Sequence, residues 1–240
     1  MVDQIRKYRD IILLTIGTML VILSLCLLFY DRIELLKSNV FAEVEMEKYR
    51  ENNTYNNVTD EDNDDEEEEI NDDEIDEIDD EENNLPQTQS ESLKSKIAKE
   101  FIGYLEIGKI NLKQGLLSKK SRYNKVKYNI QMLSPSSYPD EENGNVILAA
   151  HSGTGYLAFF KNLYRLSNGD EARIIYKGYI YTYKIVNIYN VPKTGKVKVV
   201  RDGKKSCLTL ITCTYKSKTE QTVYILELTS IVKDGDEKWN

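Results

Sequence analysis

The sequence predicts a mainly β domain, a closed or nearly closed barrel, preceded by a transmembrane helix and an acidic linker. Three observations predict it. Residues 11–30 carry no charge. Residues 60–82 are almost wholly acidic. From residue 101 onward, short apolar runs alternate with turn signals and leave room for only one or two short helices.

Residues 1–10 contain Arg6, Lys7 and Arg9, whereas Arg32 and Lys37 follow the apolar run at lower density. The run Ile11–Tyr30 matches the hydrocarbon thickness of a bilayer when helical. It is longer than the apolar region of a signal peptide, and "LCLLFYDR" offers no small-residue cleavage site. A retained single-pass helix over 11–30 is therefore expected. The positive-inside rule puts residues 1–10 in the cytoplasm and the rest outside the cell. Residues 31–50 read as a juxtamembrane helix continuing out of the span.

Residues 51–90 are rich in Asn, Asp, Glu, Thr and Gln and cannot bury enough apolar surface to offset ordering entropy. They read as a disordered acidic linker, extended by self-repulsion, that spaces the domain from the membrane. The net charge of -8 hides an asymmetry. The stretch Asp60–Glu82 holds about 18 of the 40 acidic residues, and from residue 91 onward about 25 Lys and Arg face about 14 Asp and Glu. A basic domain outside a membrane is drawn to anionic headgroups or wall polymers. No aromatic-basic motif points to nucleic acid.

The catalytic domain is expected over 91–240. Ser92–Glu100 reads as a short helix, and "IGYLEIGKINL" alternates and then turns. "NVILAAH" is a continuous apolar run, typical of a strand buried on both faces, and it ends at His151. "GYLAFFKNLYRL" reads as a helix with Leu157, Phe160, Leu163 and Leu166 inward, stopped at Asn168-Gly169. A hairpin turning at Lys177-Gly178 follows, and then strands over Ser206–Cys213 and Thr222–Thr229.

Of three cysteines, Cys26 lies in the apolar span, and Cys207 and Cys213 lie on one strand. Six residues of strand separate the latter by about 20 Å, too far for a disulfide. An exported chain without a disulfide framework suggests a thiol kept for chemistry. The one histidine and Cys213 both end expected strands, so they can meet at one rim. An imidazole there would take the thiol proton or hold the thiolate as an ion pair. The competing reading is a small core cysteine and a structural histidine.

"TLITC" (Thr209–Cys213) and "AAHSGTG" (Ala149–Gly155) resemble the sortase family of Gram-positive bacteria. The resemblance runs from about Phe101 to Ile231. It takes in "GYLEIGKINL", "NGNVILAAH", "FFKNLYRLSNGDEARI" and "TVYILEL". It implies a sortase-like closed β-barrel of about eight strands and a cysteine transpeptidase that needs no metal and no cofactor. By the resemblance, Cys213 attacks the bond after Thr in an LPxTG-like sorting signal of a surface protein. The thioester then passes to an amine of a cell-wall precursor or a pilin. His151 serves as general acid and then base, and Ser152 and Thr212 lie against substrate.

The family's third residue is an arginine on the closing strand. Here that position is Gln221, which can donate but carries no charge. Lys218, Arg173 or backbone N–H groups near Cys213 are the other candidate oxyanion donors. A slow or inactive barrel that binds sorting signals or wall polymer, and a hydrolytic cysteine peptidase, stand as alternatives to the transpeptidase. Two stretches echo a sorting signal. "VPKTG" (Val191–Gly195) reads as a turn, and Leu85–Thr88 is a candidate self-inhibitor.

Overall fold

The computed structural model describes residues 12–26, 40–50, 87–155 and 157–236. They fall in two compact units, Met1–Glu43 and Val44–Asn240. In the first, residues 12–26 are helical. Among the described residues no helix is long and apolar enough to cross a membrane. The ends of the expected 11–30 span, and residues 51–86 of the expected linker, lie outside the described residues.

The second unit is an eight-stranded, nearly closed barrel. Its strands are β1 (Phe101–Ile107), β2 (Leu112–Leu117), β3 (Gln131–Met132), β4 (Asn145–Ala149), β5 (Glu171–Tyr176), β6 (Tyr179–Pro192), β7 (Cys207–Cys213) and β8 (Glu220–Lys233). The order is β2-β1-β5-β6-β8-β7-β4-β3. Every pairing is antiparallel except β4 with β7, which is parallel. A parallel pair must be joined by a long crossover, and here residues 150–206 supply it. Buried on both faces, β4 accordingly reads as an unbroken apolar run. The β5–β6 turn, Lys177-Gly178, has φ of 48° and 75°, the double left-handed geometry that suits a two-residue hairpin.

The interior is filled from every side by Leu105, Leu116, Met132, Leu148, Phe160, Leu163, Ile174, Tyr183, Leu208, Leu210, Tyr224 and Leu226. The β2–β3 seam has no backbone ladder. Side-chain amides bridge it instead. Asn129, fully buried, donates Nδ2–H to the Gly115 carbonyl (2.8 Å) and accepts from Gln114 Nε2 (2.7 Å). Asn124 pairs with both backbone groups of Met132, at 2.7 and 2.8 Å, as a neighbouring strand would. Gly115 itself is required by contact, because a Cβ there would stand 2.1 Å from the Phe101 ring. The expected closed barrel is thus closed by side chains at one seam.

Three expectations need correction. Residues 157–166 are not an α-helix. Successive i→i+3 bonds (Lys161 to Ala158, Leu163 to Phe160, Leu166 to Leu163) and a 3₁₀ turn at Leu163–Arg165 carry the chain. The apolar spacing 157, 160, 163, 166 is every three residues, which matches 3.0 residues per turn and not 3.6. Of the expected inward set, Phe160, Leu163 and Leu166 are buried and Leu157 is half-buried.

The helix before the barrel runs Gln87–Ala98, earlier than the expected Ser92 start, so it takes the last residues assigned to the linker. It also holds Gln87 and Thr88 of the proposed self-inhibitor in helical rather than extended form.

Residues 44–50, expected to belong to a stalk, pack on the barrel. Met46 lies against Tyr104, Ile175 and Ile180. The Tyr49 hydroxyl donates to the Ile102 carbonyl, and Arg50 pairs with Asp234 at 2.9 Å.

Candidate functional site

The site lies where β4, β7 and β8 end side by side. The parallel register pairs Ala149 with Ile211, so two residues on, His151 stands beside Cys213. The antiparallel register pairs Cys213 with Gln221. Cys213 is thus flanked by His151 on one neighbour and Gln221 on the other, about 5 Å away in backbone spacing. Thr214 donates its N–H to the Glu220 carbonyl (3.0 Å). That makes Cys213–Gln221 the next, non-hydrogen-bonded pair of the ladder, the kind whose side chains stand closest.

Alternation decides the face. Val146, Leu148, Leu208, Leu210, Tyr224 and Leu226 point into the barrel. Ile147, Ile211, Val223 and Ile225 form a second cluster outside it, covered by Leu133, Tyr189, Val191, Val197 and Val199. His151, Cys213 and Gln221 each continue the alternation of this outer set. One sheet face therefore carries Cys213 and Gln221, and the β4 register carried two residues past its last pair puts His151 on the same side. Each is half-buried.

Short bonds fix the rim. Ser152 Oγ donates to the Cys213 carbonyl (2.9 Å), and Thr212 Oγ1 donates to the Ala150 carbonyl (2.8 Å). The Phe160 N–H donates to the His151 carbonyl (2.9 Å), turning the chain back after the histidine. Behind Gln221, the Thr214 and Thr222 hydroxyls meet at 2.9 Å, and Thr222 also bonds Asn190. Ser152 and Thr212, expected against substrate, thus have hydroxyls that tie the β4 and β7 ends together. They also line a small pocket beside Cys213, with Phe160, Lys161, Tyr164, Tyr215 and Tyr224. Burial pushes the Tyr224 hydroxyl up to about 12, so it stays neutral. Tyr164 and Tyr215 stack at 4.1 Å across the pocket mouth, joining the loop after His151 to the β7–β8 turn. Sequence reading missed this pair; nothing in its spacing marks it.

Gln221 Oε1 is buried and, among the described residues, has no hydrogen-bond partner. Of the other candidate donors, Lys218 lies exposed in the β7–β8 turn. Arg173 lies on β5, three strands from β7 in the sheet, opposite Glu106 on β1. The second thiol, Cys207, is 1% exposed, and burial pushes its pKa up against the lowering effect of Arg201. It is a core residue. No cluster of three or more metal-ligating side chains occurs among the described residues.

The family model of the sortase domain matches residues 105–228, just over half the chain. Solved sortases are similar to this chain at low identity and with TM-scores just under 0.5. Sortase A of Listeria monocytogenes is 19% identical over 57% of this chain and 92% of its own, with a TM-score of 0.49. Sortase C of Streptococcus pneumoniae is 22% identical over 55% and 70%, with a TM-score of 0.49. A sortase D5 transpeptidase of Clostridium perfringens is 22% identical over 59% and 89%, with a TM-score of 0.46. No curated protein matches the chain. The matched stretch begins within β1 and ends within β8, and so takes in all of β2 to β7 and the rim of strand ends around Cys213. The chain belongs to the sortase family, whose members are cysteine transpeptidases.

Proposed function

We propose that this sortase cleaves an LPxTG-like sorting signal through a Cys213 thioester and transfers the surface protein to an amine of the cell wall or a pilin. The observation that supports the reading is the register that pairs Cys213 with Gln221 and Ala149, two residues before His151, with Ile211, two before Cys213.

In the first step the Cys213 thiolate adds to the Thr carbonyl carbon. The carbon–nitrogen bond breaks, and the His151 imidazolium gives its proton to the leaving amine. In the second step the acceptor amine adds to the thioester carbonyl, His151 takes its proton, and the thiolate leaves. The Gln221 amide donates a hydrogen bond towards the oxyanion in both steps. Ser152 and Thr212 hold the two strand ends in register.

The apolar run 11–30 anchors the chain in the membrane, with residues 1–10 cytoplasmic and the barrel outside. Its partners are surface proteins bearing the sorting signal.

A second reading, a slow or inactive signal-binding barrel, is favoured by the uncharged Gln221 at the arginine position. Incubating the full chain with an LPxTG-type peptide and an amine separates the two readings. Amide exchange, lost in Cys213→Ala by at least about 10³-fold, supports the transpeptidase. Binding without product supports the second reading. Cleavage without exchange would make it a hydrolase.

A further inference from the structure

The β2–β3 loop, residues 118–130, is rich in cations and poor in carboxylates. Lys120, Arg122, Lys125 and Lys127 are exposed, and among the described residues none pairs with a carboxylate. Their contacts are to neutral groups: Arg122 donates to the Tyr123 hydroxyl (2.6 Å), and Lys127 lies over the Tyr128 ring. The acidic Glu100 nearby accepts from Ser121.

Against this loop packs the Gln87–Ala98 helix, through Leu93 and Ile97 on Leu117, Tyr123 and Tyr128. Its exposed Lys96, with Lys99 just beyond its end, adds to the same surface. Glu100 is the one described carboxylate bonded to the loop, and the cations Lys96, Lys99, Lys120, Arg122, Lys125 and Lys127 outnumber it.

The counter-charge is in the chain itself. Residues 44–50 and the Gln87–Ala98 helix are both seated on the barrel, and both clusters include Phe101. The chain between these two seated segments is 36 residues long, 51–86. Within it, Asp60–Glu82 holds about 18 carboxylates. Its distal anchor, Gln87, lies six helical residues from Leu93, about 9 Å along the axis. A stretch of 23 residues reaches roughly 80 Å when extended, so length does not limit contact. Pinning keeps the segment at an effective concentration in the millimolar range or above. Self-repulsion among its carboxylates is relieved wherever cations are met.

We propose that Asp60–Glu82 docks on the basic surface of the β2–β3 loop and the Gln87–Ala98 helix, as a built-in polyanion that occupies this surface ahead of external ones. The contact is electrostatic and does not depend on the chemistry at Cys213.

Two measurements on the full chain in neutral detergent test it. A carbodiimide joins a carboxylate to a lysine amine with loss of water. In about 20 mM salt, cross-links from residues 60–82 should fall on Lys120, Lys125 and Lys127 at least about fivefold more than on the lysines of residues 193–205, in monomer. They should fade near 1 M salt, where screening falls to about 3 Å. An even spread over exposed lysines, persistence at high salt, or cross-links only in dimers would overturn the proposal. Separately, a variant with every Asp and Glu of 60–82 changed to Asn and Gln should bind polyphosphate at least about tenfold more tightly than the parent at low salt. Equal affinity would overturn it. Either adverse result is sufficient.

Discussion

Two buried amides mark two regions of the barrel that do opposite things. At the β2–β3 seam, Asn129 uses both ends of its side chain, bonding Gly115 and Gln114, and replaces a missing backbone ladder. At the β7–β8 rim, the ladder is intact beside Gln221, yet its Oε1 is buried with no partner among the described residues. The first amide is satisfied and structural. The second bears the desolvation cost of an unmade bond, about 1–3 kcal/mol, and sits across from Cys213. A polar group kept in that condition is matched to a partner that arrives later, such as the backbone of a bound peptide.

Removing the seam amide gives the largest expected effect. Asn129→Ala loses two hydrogen bonds and strands the Gly115 carbonyl, so chemical denaturation should show a loss of about 2–4 kcal/mol. Activity per folded molecule should be unchanged. Gln221→Leu should show the reverse, with stability kept or slightly raised and transfer reduced. If both variants destabilise alike, the contrast between the regions is wrong.

Gln221→Arg sharpens the rim half of the comparison. A charge-assisted donor is roughly twice as strong as a neutral one, so peptide turnover should rise about tenfold. No change would place the donor elsewhere, in the backbone near Cys213 or at Lys218.

The smallest effect belongs to a surface group. Asp170 accepts from Lys109 (2.7 Å) and the Ser167 N–H (2.7 Å), and these bonds hold its pKa below the usual carboxylate range. Its stabilisation is therefore full above the unfolded value of about 3.9 and is lost as pH falls through the lower folded value. Asp170→Asn should cost under about 1 kcal/mol at pH 6, after solvent screening, and the difference from the parent should vanish in stronger acid.

The sequence disclosed the parts of the barrel whose local pattern is also the tertiary pattern. β4 reads as an unbroken apolar run because both its faces are covered. Lys177-Gly178 reads as a turn because its backbone needs two left-handed residues. Cys213 and His151 were legible as strand ends. That they could meet at one rim was legible too, but the parallel pairing of strands separated by 57 residues that brings their ends together was not. The amide-closed seam was hidden for the same reason: an asparagine in a loop looks alike whether or not it faces a bare strand edge. The turn-rich stretch after His151 was misread because four apolar residues fit both a helical face and a period of three. The carbonyl of His151, taking the Phe160 N–H, selects the tighter path.

The parallel pairing of β4 with β7 also makes the site a gauge of alignment. In a pleated sheet, a slip of one residue between these strands would send sulfur and imidazole to opposite sides. Any engineered or evolved version of this barrel that still exchanges amides has, by that fact alone, kept these two strands in step.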